Sequence, residues 1–287
     1  MPNPAENTFR IAAASAEDIV MLGEWAHEES WNPGLTDGRV FFPADPGGFL
    51  IGRLDGVPVT SVSVVRYGPD HGFLGFYLTR PHLRGQGYGL RTWQAGTARL
   101  AGRTIGLDGV PDQQDNYRRS GFRTCWSNAR YEGTPPPDIA PPPGITLVDA
   151  RSVPFAGLAA YDRRFFPAPR DGFLAAWITA AGRTALAAVR DGELHGLAVV
   201  RECRAASRIG PLYAASPQVA AALVSALAAT VPDGPVAIDV PDLNPAAVRL
   251  ADGLGLTPSF DTARMYTGPQ PVIDRDGYYG ITSLELG

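Results

Sequence analysis

The hydrophobic pattern changes period along the chain, and each change marks an element. FRIAA, residues 9–13, reads as a short strand, and SAEDIVMLGEWAHEES, residues 15–30, as a helix with Ser15 at its N-cap and Asp18 three residues on. FLIGRLDGVPVTSVSVVR, residues 49–66, is two apolar runs around an Asp-Gly turn, the pattern of a hairpin. GFLGFYLT, residues 72–79, has the continuous aromatic and branched content of a buried strand. After it, Leu90, Trp93, Thr97 and Leu100 recur at steps of three and four, predicting a helix with one apolar face. A strand over 103–110, a short helix over 112–121 and a strand over 122–133 follow.

GTPPPDIAPPP, residues 133–143, places six prolines in eleven positions, so it reads as an extended, semi-rigid connector. The halves it separates echo each other. LDGVPVTSVSVVR (54–66) resembles RDGELHGLAVVR (190–201), an Asp-Gly turn and an apolar strand ending in arginine. NYRRSGF, ending at Phe122, has a counterpart in RLADGLGL, ending at Leu256. The expected organisation is α+β with a duplicated unit: one domain over 1–132, the linker over 133–143, a second domain over 144–287.

Composition narrows the chemistry. At 287 residues, 45% apolar, 19% charged and with a net charge of −4, the chain reads as an ordinary soluble globular protein with no electrostatic appetite for nucleic acid. Its apolar runs fall far short of the roughly 18 residues a spanning helix needs, and MPNPAENTFR shows no basic-then-apolar leader, so no membrane partner and a cytoplasmic location are expected. Cys125 and Cys203, the only cysteines, read as buried free thiols. All 25 basic residues are arginine. A P-loop lysine and a pyridoxal Schiff base are therefore excluded. His27, His71, His82 and His195 are scattered, so no metal site is expected.

Arg84-Gly85-Gln86-Gly87-Tyr88-Gly89 stands between the buried strand and the helix that follows. Glycines there let a phosphate approach main-chain N–H groups at the positive end of a helix, and Arg84 adds a fork-shaped cation. Charge-assisted bonds of about 1.5 to 3 kcal/mol each are strong enough that four or five hold a diphosphate.

This hexapeptide resembles the signature of the GNAT superfamily of acyl-CoA N-acyltransferases: Gln or Arg, two residues, Gly, one residue, then Gly or Ala. The resemblance extends over about residues 8–132. It implies a mixed, largely antiparallel twisted sheet flanked by helices in each half, acetyl-CoA as co-substrate and an acyltransferase acting on groups other than aminoacyl. It also implies that pantetheine bonds the backbone of Tyr77 and Leu78 where the strand before the loop splays from its neighbour, and that Tyr117, four residues before Gly121, faces the sulfur. The family's usual asparagine, eleven residues before that glycine, is Val110 here.

Acyl transfer to a primary amine by direct attack needs a neutral nucleophile. An amine of pKa about 10.4 is neutral about once in 2,500 molecules at pH 7, an obstacle of roughly 4.6 kcal/mol for a base or a desolvating pocket to offset. Proton transfer from a tyrosine of pKa about 10 to a thiolate of about 8.5 is uphill by about 2 kcal/mol, so Tyr117 reads as a hydrogen-bond donor. Family members often carry a glutamate on the strand before the loop, and GFLGFYLT has none. His27, Glu28 and Glu29 are the candidate bases. Trp31, Asn32 and Asp37, in a stretch resembling the acceptor-side loop of a tandem GNAT branch, are candidate lining for a small-molecule or peptide amine. Alternatives are another acyl donor such as a longer acyl-CoA, thioester cleavage without an amine acceptor, or a non-catalytic acyl-CoA sensor; an aminoacyl-tRNA donor is disfavoured by the acidic charge.

The second half resembles a degenerate copy. It has Ser216-Pro217 in place of the glycine loop, Ala251 in place of Tyr117, and Asn244 at the asparagine position. Little cofactor binding is expected there. Its expected roles are to support the fold, shape the acceptor cleft or make a homodimer contact. RRFFPAPRDGFLAAW, residues 163–177, reads as exposed aromatics and arginines available for these roles or as ordinary packing, and the terminal Gly287 carboxylate as a group that could approach the site.

Overall fold

The computed structural model describes residues 8–231 and 234–287, which leaves most of the segment weighed as a leader, residues 1–7, outside the described residues. β1 (Phe9–Ala13) leads into α1 (Ala16–Glu28), where Ser15 Oγ accepts the Asp18 N–H and the Asp18 carboxylate accepts the Ser15 N–H at 2.8 Å, closing the expected capping box. Then come α2 (Asp37–Phe41), β2 (Phe49–Leu54), β3 (Val57–Tyr67), β4 (His71–Thr79), α3 (Tyr88–Arg99), β5 (Thr104–Gly109), α4 (Gln114–Arg119) and β6 (Arg123–Gly133). The second half contains β7 (Thr146–Asp149), α5 (Phe155–Asp162), α6 (Asp171–Thr179), β8 (Arg183–Arg190), β9 (Glu193–Arg201), β10 (Ser207–Ala214), α7 (Pro217–Ala228), β11 (Val236–Pro241), α8 (Pro245–Gly253), β12 (Thr257–Tyr266) and β13 (Tyr278–Gly280). The fold is mixed α/β with a large, mostly antiparallel sheet flanked by helices.

Both Asp-Gly hairpins form, joining β2 to β3 and β8 to β9 in antiparallel register. The pairing of the halves was not foreseen. The sheet runs β1-β2-β3-β4-β5-β12-β6-β11-β10-β9-β8-β7, so β12 lies between β5 and β6, and β6 lies between β12 and β11. β6, the last strand of the first half, and β12, the last but one of the second, each pair into the other half. The proline segment lies against α7, where Ser225 Oγ donates to the Pro136 carbonyl and accepts the Ile139 N–H.

One core crosses the seam. Phe41 of the first half stacks on Trp177 of the second at 5.8 Å between ring centroids and meets Phe76 edge-on at 5.8 Å. Phe165, Phe166, Phe173 and Trp177 are buried, as is Arg170, which binds Asp162 at 2.8 Å. Of the two readings of segment 163–177, ordinary packing holds for its aromatics, while Arg163 and Arg164 remain exposed. Two further expectations are corrected. Leu90, assigned to the apolar face of α3, is 57% exposed, because the buried face runs through Thr92, Trp93, Gly96 and Leu100. Cys125 and Cys203 are free but only half-buried.

Candidate active site

In the first half, β4 and β5 pair in parallel only over His71–Leu74 and Thr104–Leu107. Beyond Leu74, β4 continues to Thr79 with no strand of the described residues on its β5 side. A bulge at Phe76, whose φ is +43°, turns this stretch further, and the Phe76 carbonyl accepts from Ser61 Oγ at 2.7 Å. Residues 75–79, with no strand on that edge, line a cleft of about 830 Å³. Gly75, Tyr77, Leu78, Arg84, Gly85, Gly87, Gly89 and Tyr117 all line it.

The glycine loop is shaped for close approach. Gly85 and Gly87 have φ of +77° and +85°, a conformation that costs other residues energy, and Gly87 is the N-cap of α3. At Gly89 a Cβ would crowd Thr79 Oγ1 at 2.5 Å, so the helix start can press on β4 only with glycine there. Gln86 and Tyr88 do not line the cleft: Gln86 donates to the His82 carbonyl at 3.1 Å, and Tyr88 packs on Phe9.

Arg84 is already engaged. Its Nε donates to the Thr79 carbonyl at 3.1 Å and its Nη2 pairs with Glu29. Glu29 thus lines the cleft as the partner of the loop arginine. Glu28 and His27 lie outside the cleft, Glu28 bound to Arg80 at 2.6 Å and His27 exposed.

Tyr117 is buried behind Trp93, the rings stacked at 5.4 Å, with Tyr77 on Trp93 at 5.0 Å. Burial pushes its hydroxyl well above the ordinary tyrosine value, and nearby Tyr77 adds to the rise. A hydroxyl so shifted keeps its proton at neutral pH.

Of the three acceptor candidates, only Trp31 lines the cleft. Asn32 is buried, donating to the Ala206 carbonyl at 2.8 Å and accepting the Ala205 N–H at 3.1 Å. Asp37 is clamped by Arg183 at 2.6 Å, Arg201 at 3.3 Å and the Gly34 N–H at 2.9 Å. Burial alone would raise its carboxyl, but Arg201 and Arg183 more than offset this and hold it below the usual carboxylate range. Asn32 and Asp37 therefore pin the loop after α1 to the second half, leaving Trp31 at the cleft.

The wall opposite β4 comes from the second half. β12 pairs with β5 only over Ala263–Tyr266, so Ser259, Phe260, Asp261 and Thr262 run past the end of β5 into the cleft. Leu284 and Glu285 also line it, whereas Gly287 does not; its carbonyl accepts from Arg170 Nη1 at 2.8 Å. A share of the second half in the cleft was expected from the sequence, but none of these residues was singled out. Their one local signal was the absence of a carboxylate on GFLGFYLT, which implied a supplier elsewhere.

In the second half, β10 and β11 also pair in parallel, over Ser207–Ile209 and Val236–Ile238. Here the gap beyond is filled. β13 pairs with β10 at Leu212 and Tyr213, and the Ile281 N–H donates to the Asp239 carbonyl on β11 at 3.1 Å. Asn244, at the expected asparagine position, donates to the Asp276 carbonyl at 3.1 Å and so holds the inserted segment.

The described residues contain no group of side chains placed to hold a metal and no helix long and apolar enough to cross a membrane.

Comparison with known proteins agrees with this architecture. Residues 15–122 match the model of the acetyltransferase (GNAT) family, and residues 158–280 match an acetyltransferase (GNAT) domain model. Holothin acyltransferase of Pseudoalteromonas sp. (strain SANK 73390) is 34% identical over 281 residues, 98% of this chain and 95% of that protein. A putative acetyltransferase from Pyrococcus horikoshii superposes with a TM-score of 0.81 at 20% identity, over 100% of this chain and 99% of that one. A tandem GNAT protein from the clavulanic acid biosynthesis pathway superposes at 0.65 and 18% identity, over 92% and 100%.

Proposed function

The chain belongs to the GNAT acyltransferases, and from that premise we propose that it transfers an acetyl group from acetyl-CoA to the primary amine of a small-molecule acceptor, both bound at once. The observation that carries the reading is one cleft lined by a glycine loop, an unpaired β4 edge and Tyr117. The amides of residues 85–89 and the start of α3 receive the diphosphate, with Arg84 beside them. The free main-chain groups near Tyr77 and Leu78 receive the amides of the pantetheine arm and polarise the thioester carbonyl. Tyr117 donates a hydrogen bond to the departing sulfur.

Two observations support a small acceptor. Trp31, Phe76 and Phe260 give the cleft aromatic walls. The Pseudoalteromonas relative is named for holothin rather than for a protein.

Incubation with acetyl-CoA and a panel of primary amines, followed through free thiol, tests the proposal. The expected result is thiol release that depends on an amine. Binding of acetyl-CoA without release under any amine identifies a sensor. Release with a longer acyl-CoA alone corrects the donor.

A further inference from the structure

The described carboxylates that line the cleft are Glu29, Asp108, Asp112, Asp261 and Glu285. Glu29 pairs with Arg84, and Asp108 makes a bidentate pair with Arg264 at 2.8 and 2.7 Å while accepting from Asn128. Asp112 and Asp261 are exposed. Glu285 differs from all four. It is 3% exposed, its Oε1 is 3.5 Å from Arg208 Nη1, and its buried Oε2 has no hydrogen-bond partner. Buried polar atoms are nearly always paired, so an unpartnered carboxylate oxygen on a residue that lines the cleft is open to a donor.

The neighbours fix Glu285 in place. Its carbonyl oxygen lies against Gly75 of β4, where any Cβ would collide with it. Tyr67 Oη donates to the Leu286 carbonyl at 3.1 Å, and Ser283 Oγ accepts the Leu286 N–H at 3.0 Å. The main chain of this cleft-lining glutamate thus lies against β4, the strand that carries no carboxylate of its own.

We propose that Glu285 is the catalytic base for the acceptor amine, so that the second half supplies the proton acceptor for chemistry on cofactor bound by the first. This rests on the acyl-transfer reading above. The acceptor arrives as an ammonium, and the Glu285 carboxylate takes one proton and passes it to solvent. The freed nitrogen lone pair forms the C–N bond with the thioester carbon, and the C–S electron pair leaves with sulfur. The second nitrogen proton ends on that sulfur, with Tyr117 hydrogen-bonded to it, giving amide and free thiol. No oxidant or further reactant is needed.

The test compares wild type with Glu285→Gln, using acetyl-CoA and the best amine of the panel, across pH 7 to 10, with acetyl-CoA affinity measured in parallel. At pH 7, kcat should fall about 100-fold or more while affinity for acetyl-CoA stays within twofold. The deficit should shrink toward pH 10, where solvent itself removes the ammonium proton. An unchanged kcat, or an equal deficit at every pH, overturns the assignment. If Glu285→Gln does not fold, Glu285→Asp, which withdraws the carboxylate by one methylene, must lower kcat at least tenfold with affinity preserved; unchanged turnover overturns it equally. Failure of wild type to acylate any amine sinks the acyl-transfer reading itself, and with it the base. Amine acylation that survives in the variants sinks only the base.

Discussion

The gap between β4 and β5 and the gap between β10 and β11 start alike and end differently. In each half two parallel strands part after a few paired residues, and a glycine, Gly75 or Gly210, stands at the parting. In the first half the space beyond stays open and a glycine loop caps it. In the second, β13 and the residues after it occupy the space, and carbonyls of Ile281 and Thr282 press on Gly210 as the Glu285 carbonyl presses on Gly75. A single segment thus fills one gap and edges the other. The comparison teaches how two like units diverge: where a glycine loop stands the gap stays open, and where Ser216-Pro217 stands instead the chain's own later segment occupies the gap and borders the open one.

The largest expected effect concerns His71, four residues before Gly75, where the second half has Ala206. Burial, with Arg264 and Arg170 nearby, lowers its pKa to about 4. The folded state therefore holds the neutral ring while the unfolded chain protonates below about 6.5. Stability is full above pH 6.5, and about 3 kcal/mol is lost as pH falls to about 4. His71→Phe should flatten that loss in urea unfolding at successive pH values.

Next come the paired glycines. Gly210→Ala drives a methyl into the inserted segment and should cost about 1 to 3 kcal/mol in urea unfolding, with acetyl-CoA affinity retained. Gly75→Ala should cost a similar amount and also lower turnover, since it displaces Glu285. Equal turnover in both variants breaks the comparison.

Arg84→Ala removes a charge-assisted contact and should weaken CoA binding about 10- to 100-fold in calorimetry. Its counterpart, Ser216→Ala, loses the N-cap bond to the Val219 N–H and should cost about 1 kcal/mol of stability without changing CoA affinity. The smallest effect on the reaction is that of Tyr117→Phe: about a tenfold fall in kcat, the loss of one hydrogen bond to sulfur, at unchanged affinity.

Local elements were legible because their causes are local. The Ser15 cap, the Asp-Gly turns and the strand-loop-helix at Arg84–Gly89 are each set by a few adjacent residues. The exchange of β6 and β12 was not, because a strand's periodicity shows that it will pair but not with which edge. Asn32 and Asp37 read as acceptor lining because a polar loop near a site looks the same in sequence whether it faces solvent or an arginine clamp. Arg183 and Arg201, which reveal the clamp, lie more than 140 residues away. Glu285 was hidden for the same reason: ITSLELG shows no periodicity that would place its carboxylate beside β4.

Calorimetric titration of the wild-type chain with coenzyme A tests the asymmetry of the two gaps directly. One molecule should bind per chain, at micromolar strength, and Arg84→Ala should weaken that single site. Two comparable sites, or no heat at millimolar ligand, would contradict the account.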